Sequence, residues 1–210
     1  MRLTLPLLLT ILRVAAIPAV LVLFYVQFPH ARQWACVLYG AACITDWFDG
    51  YLARRWGQTS KFGAFLDPVA DKLMVAVCLI MLQHAHSSDL AYVAARTSSA
   101  ALPPLHNVPE ALLALLVAII IGREITISAL REWMAELGGR AKVSVSWIGK
   151  VKTAFQMTSI GMMIWRDELW GIHWYSLGYW LLFVAAALTI WSMVMYLRAA
   201  WPLMRDDPAK

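Results

Sequence analysis

An all-α, polytopic membrane bundle of six transmembrane helices, preceded by a short N-terminal interfacial segment, is the fold this sequence predicts. Three observations carry that reading. The 210-residue chain is 61% hydrophobic and only 15% charged, where a soluble domain is nearer ~45–50% apolar and ~25% charged. Its apolar stretches run to about 20 residues, the length a bilayer core demands. Its carboxylates are few, and four of them (Asp46, Asp49, Asp67 and Asp71) stand within helical patterns, where an acidic residue calls for a functional reason. No internal repeat or low-complexity tract divides the chain, so residues 1–210 are read as one domain.

The spans fall at roughly 7–28, 33–55, 64–84, 108–132, 146–166 and 176–201. The first follows Met1-Arg2 and resembles a signal peptide at its start. Arg13 interrupts the apolar run, however, the run continues to Phe28, and no small-residue cleavage site closes a short core. An uncleaved helix fits better, with Pro6 at an early position and Pro18 expected to kink it. The second and third spans carry the aspartates at their facing ends. Being consecutive, they are expected to be antiparallel neighbours. A linker from His84 to Val108, with serines and Pro103-Pro104, separates the third span from the fourth. His84-x-His86 in this linker reads as solvated loop rather than a metal pair, because only Asp89 accompanies it. Cys36, Cys43 and Cys78 lie inside spans without metal-ligand spacing and read as packing residues. Trp34, Trp56, Trp147, Trp170, Trp174 and Trp201 fall near span ends, where indole favours the headgroup zone.

Orientation follows from the basic residues. Six spans leave both termini on one side, and that side holds all of the 18 Lys and Arg residues except Arg32, Arg96 and Arg166. The positive-inside rule makes it cytoplasmic, and the aspartates are on it. The net charge of +5 then speaks for an anionic leaflet and anionic substrates, and against nucleic acid as partner.

Asp46 and Asp49 are three apart and Asp67 and Asp71 four apart, so each pair shares a helix face. Facing helix ends converge the four on one region, where unpaired anions repel strongly at low dielectric. Hard divalent cations, Mg²⁺ or Mn²⁺ in a two-metal site, remove the repulsion. Between the pairs lie Gly50, Ala53, Gly57, Gly63 and Ala64, small enough for a ligand to approach backbone closely. Arg54 can clamp a phosphate with two hydrogen bonds. Metal, arginine and glycine together point to a diphosphate substrate. One alternative is a helix-end ion network with Arg54, Arg55, Lys61 and Lys72; four acids at fixed spacing with interleaved glycines speak against it. A divalent-cation transporter is a second, but it expects acids distributed through the membrane rather than gathered at one face.

The run from Asp46-Trp47-Phe48-Asp49-Gly50-Tyr51-Leu52-Ala53-Arg54 to Gly63-Ala64-Phe65-Leu66-Asp67-Pro68-Val69-Ala70-Asp71 carries every position of the signature of the CDP-alcohol phosphotransferases, and the chain resembles that family. Arg123-Glu124-Ile125, Ser128-Ala129-Leu130-Arg131-Glu132 and Ser146-Trp147-Ile148-Gly149-Lys150-Val151-Lys152-Thr153 are similar to its bacterial members that take sn-glycerol 3-phosphate as acceptor. The resemblance covers nearly the whole chain outside the stretch 85–108. It implies transfer of a phosphatidyl group from CDP-diacylglycerol to sn-glycerol 3-phosphate with release of CMP. Inositol phosphate or phosphatidylglycerol stand as alternative acceptors. By position, Asp46, Asp49 and Asp67 would ligate the metals, and Asp71 would be the general base and touch the second metal. Asp49, Gly50, Ala53, Arg54 and Gly63 would receive the cytidine diphosphate. A phosphorylated acceptor requires a basic pocket, for which Arg123, Arg131, Lys150 and Lys152 are the candidates. The resemblance further implies a homodimer in the bacterial inner membrane, surrounded by membrane lipids.

Overall fold

The structure, a computed structural model, describes residues 5–26, 28–56, 61–96, 109–136 and 147–205. It is helical throughout except for one short hairpin. The elements are α1 (Leu5–Tyr25), α2 (Ala31–Trp56), α3 (Lys61–Arg96), α4 (Glu110–Glu136), α5 (Trp147–Trp165), β1 (Glu168–Leu169), β2 (Ile172–His173) and α6 (Trp174–Arg205). The interfacial segment expected before the first span falls on residues 1–4, outside the described residues. α1 is already helical from Leu5 and continues through Pro18, as helices in apolar surroundings tolerate when neighbours re-satisfy the backbone.

One core joins all six helices. Val20 and Phe24 of α1, Ala35 and Tyr39 of α2, and Cys78, Leu79 and Leu82 of α3 meet Leu113 and Ile120 of α4, Ile160 and Met163 of α5, and Tyr179 and Leu182 of α6. Residues on the outer faces, such as Val22, Ile44, Leu115, Ile125 and Trp191, are both large, apolar and exposed, which suits a surface solvated by lipid rather than water. Hydroxyls are satisfied locally: Thr45, Thr126 and Thr189 each donate to the carbonyl four residues back, at 2.7, 2.8 and 2.6 Å. The cysteines behave as packing residues, Cys78 fully buried and Cys36 donating to the Gly161 carbonyl at 3.3 Å.

Among the described residues, three helices are long and apolar enough to cross a membrane by length and composition: Leu7–Tyr25, Glu110–Met134 and Trp174–Trp201. α2, α3 and α5 fall short of that measure for a chemical reason. α2 and α3 carry the aspartates and their flanking cations, and the first half of α5 holds Lys150, Lys152 and Gln156.

One expectation is corrected. The stretch from His84 is not a loop up to Arg96: α3 runs on for 36 residues, about 54 Å at the α-helical rise. It does so because Ala85, His86 and Asp89 form a buried face. His86 is enclosed rather than solvated, its Nδ1 2.8 Å from the Tyr175 hydroxyl and its ring stacked on Tyr179. Only residues 97–108 of the expected loop lie outside the described residues. α2 and α3 meet at both ends of the bundle, where Arg32 pairs with Asp89 and Asp46 shares a cleft with Asp71. α1 packs against both, because Thr10 and Arg13 on one face of α1 are the polar partners that the aspartates need.

After α5 the chain reverses through β1 and β2, an antiparallel pair in which Glu168 faces His173 and Leu169 faces Ile172. The two-residue connection, Trp170-Gly171, has φ of 57° and 73°, the positive values a type I′ turn requires.

Candidate active site

The acidic end is organised by α1. Arg13, almost fully buried, places Nη1 2.5 Å from the Asp46 carboxylate. Three residues earlier, one turn back on α1, the Thr10 hydroxyl donates to Asp67. A buried guanidinium left uncompensated in this setting would be costly, so Asp46 stabilises the approach of α1 as much as Arg13 neutralises the acid.

Asp71 lies one turn beyond Asp67 on the same face of α3. It shares a narrow cleft with Arg13, Tyr39, Cys43, Asp46 and Met157. It also lines a separate, much larger cavity of about 420 Å³. Among the described residues Asp71 alone borders both. Pro68, which also lines the larger cavity, has no N–H to give to the carbonyl four residues back.

The larger cavity is rich in cations. Lys72 of α3, Arg123 and Arg131 of α4 and Lys152 of α5 line it, against the two carboxylates of Asp71 and Glu124. Glu124 bonds Arg123 at 3.2 Å and also accepts from the Lys152 ammonium. The Lys72 ammonium donates to the Ser128 hydroxyl. From α6, the Ser192 hydroxyl accepts from Arg123 at 3.1 Å and the Tyr196 hydroxyl accepts from Arg131 at 2.8 Å. The Tyr196 ring centroid lies 5.0 Å from the Arg131 guanidinium and 5.8 Å from that of Arg123, within cation–π range. These contacts hold four side-chain cations around one space with an excess of positive charge. That is the chemistry that receives an anionic group.

Of the residues the sequence singled out, the structure brings Asp46 and Asp71 to one cleft, and Asp71, Arg123, Arg131 and Lys152 to one cavity. Gly63 is buried near the start of α3. Lys150 is exposed and does not line the cavity. Asp49, Gly50, Ala53 and Arg54 are on the last turns of α2, and their side-chain positions lie outside the described residues. Lys72, Ser128, Ser192 and Tyr196 were missed. The last two had a signal: they are four apart, polar, and share a face of an otherwise apolar helix.

Asp46, Asp67 and Asp71 offer carboxylate oxygens, the ligands hard divalent cations take, and Arg13 and Thr10 already hold two of them in place. Among the described residues no three such side chains converge on one point.

The family model for CDP-alcohol phosphatidyltransferase matches residues 3–191 of the chain. A relative from Salmonella typhimurium, a CDP-diacylglycerol–glycerol-3-phosphate 3-phosphatidyltransferase, is 46% identical over 201 residues, which is 95% of this chain and 96% of the relative. Relatives of the same name from Shigella flexneri and Escherichia coli are each 45% identical over 201 residues, with the same coverage.

Proposed function

This chain belongs to the CDP-alcohol phosphatidyltransferase family, and on that premise we propose that it transfers the phosphatidyl group of CDP-diacylglycerol to sn-glycerol 3-phosphate, giving phosphatidylglycerol phosphate and CMP. The observation that carries the reading is the position of Asp71, the residue common to the acidic cleft and the cation-lined cavity. A base for this reaction has to touch an alcohol whose other end is a phosphate, while standing beside the carboxylates that manage the diphosphate.

Arg123, Arg131 and Lys152 hold the acceptor phosphate, with Glu124, Ser192 and Tyr196 fixing their directions. Lys150, exposed two residues away, contributes charge to the approach. Asp71 accepts the proton of the sn-1 hydroxyl. The oxygen forms a bond to the phosphorus that bears diacylglycerol, the bond from that phosphorus to the CMP oxygen breaks, and CMP leaves. An ordinary carboxylate is a weak base toward an alcohol, so proton removal is concerted with attack. Asp49, Gly50, Ala53, Arg54 and Gly63 receive the cytidine diphosphate. A Mg²⁺ or Mn²⁺ pair held by Asp46, Asp49, Asp67 and Asp71 would supply neutralisation of the diphosphate and of the departing charge.

The protein is a membrane protein, acting as one domain. We place it in the bacterial inner membrane as a homodimer, with the Asp71 end and both termini on the cytoplasmic side. The distribution of basic residues supports that orientation.

The test is an acceptor panel. Purified protein with Mg²⁺ and CDP-diacylglycerol is offered glycerol 3-phosphate, inositol phosphate, phosphatidylglycerol and serine, and CMP is measured. Release is expected with glycerol 3-phosphate alone. Activity with inositol phosphate or phosphatidylglycerol in its place would reject the acceptor assignment.

A further inference from the structure

A second polar cavity lies at the other end of the bundle from Asp71. It measures about 710 Å³ and opens where α1 ends, α2 begins, α3 runs past His84 and the chain leaves α5. Three guanidinium groups border it: Arg32, Arg96 and Arg166. Two carboxylates face them. Asp89 pairs with Arg32 and, at 3.1 Å, with Arg166. Asp167 accepts from the Tyr92 hydroxyl at 2.7 Å and from the Gln33 amide, with Arg96 4.0 Å away. Burial, then the Asp167 carboxylate, raise the Tyr92 phenol above its ordinary range and keep it the donor. The three guanidinium groups outnumber the two carboxylates by one.

The excess has an address. Arg32 is only 8% exposed, and its guanidinium lies 3.5 Å from the Phe24 ring centroid. One of its terminal nitrogens, Nη1, has no hydrogen-bond partner among the described residues; the same is true of Nε of Arg166. A buried, charged donor without an acceptor is costly. Both nitrogens belong to guanidinium groups that border the cavity.

Depth in the membrane identifies the class of anion. The apolar span of α1 ends at Tyr25, which lines the cavity, and that of α6 begins at Trp174, shortly after Arg166 and Asp167. The cavity therefore sits where spans leave the hydrocarbon, at the level of phospholipid headgroups. Tyr25, Val26 and Phe28 at its rim are exposed and apolar, a surface for acyl chains.

We propose that this cavity binds the phosphate of an anionic phospholipid, with Arg32, Arg96 and Arg166 as donors, on the face opposite the catalytic end. Arginine suits the role because its planar donors match phosphate oxygens in pairs. The site does not rest on the reaction assigned to Asp71.

The experiment follows thermal unfolding of the full-length protein in non-ionic detergent. Short-chain phosphatidylglycerol, short-chain phosphatidylcholine and inorganic phosphate are added at matched concentrations. Saturable stabilisation is expected from phosphatidylglycerol alone. Arg96→Gln removes a side chain that is 69% exposed, so the fold survives it, and the apparent affinity falls about fivefold; Arg166→Gln lowers it about tenfold. Arg131→Gln, in the other cavity, leaves that affinity unchanged. Equal stabilisation by phosphatidylcholine would make the cavity an apolar surface, and equal stabilisation by inorganic phosphate would make it a free-anion site. Loss of the effect on Arg131→Gln rather than Arg96→Gln would move the lipid to the catalytic end. Any of the three overturns the proposal.

Discussion

Asp71 differs from the other aspartates in what surrounds it. Asp46 is paired with Arg13 and Asp67 with Thr10, so both are held by α1. Asp71 instead faces the cleft on one side and the cation-lined cavity on the other. Replacing it with asparagine keeps the shape and removes the base. Asp71→Asn is expected to lower kcat by roughly 10²–10⁴-fold, the range general-base catalysis contributes, while leaving CDP binding and thermal stability close to wild type. A near-normal rate would refute the base assignment, and lost nucleotide binding would make Asp71 chiefly a ligand. At this scale the sequence was informative about the acids, because carboxylates within apolar helices are conspicuous. It said less about the groups that hold the charges: Thr10 is a common residue type, Ser192 and Tyr196 offered only a shared polar face, and the packing of α1 and α6 shows that Thr10 meets Asp67 while Ser192 and Tyr196 meet Arg123 and Arg131.

Helix pairs show where the chain tolerates no extra atom. α5 and α6 pack tightly at Gly178, where an added Cβ would lie 2.9 Å from Met162 Cβ, Met163 Cγ and the Ser159 carbonyl oxygen. That carbonyl is backbone of α5 and the Met162 Cβ is attached directly to it, so neither can swing aside as a side-chain tip can. The Gly178 carbonyl in turn accepts from Ser159 Oγ at 2.7 Å. Gly178→Ala should therefore destabilise the protein by about 1–3 kcal/mol, the usual cost of overpacking. Gly40→Ala, whose Cβ meets nothing within 4 Å, serves as the comparison in detergent melts, and equal melting temperatures for the two variants would contradict the close-packing argument. The same scale explains the misread of α3. Ser87 and Ser88, directly after two histidines, look like loop, yet Ala85, His86 and Asp89 bury a continuous helical face and carry the helix to Arg96. Local composition cannot anticipate a partner supplied by Arg32 and Arg166, 57 residues before and 77 residues after Asp89.

The whole molecule has two polar ends joined by an apolar middle. One end holds Asp71 and the cation-lined cavity. The other holds the Arg32–Asp89–Arg166 network and the hairpin at Trp170, 83% exposed. The positive-inside argument assigns the first end to the cytoplasm. In a chain whose three cysteines are replaced by alanine, a membrane-impermeant maleimide should label Trp170→Cys in intact spheroplasts and Lys150→Cys only after permeabilisation; the reverse pattern would invert the topology. The sequence by itself determined the all-helical membrane class, the aspartate signature and the family, because composition, helical spacing and a long motif are all local properties of the chain. Only the tertiary structure decided that α1 packs against both α2 and α3, that Asp71 is the one among the described aspartates to border the basic cavity, and that α6 steers its arginines. Those outcomes depend on which helix faces meet, and a buried charge settles beside whichever distant group can satisfy it.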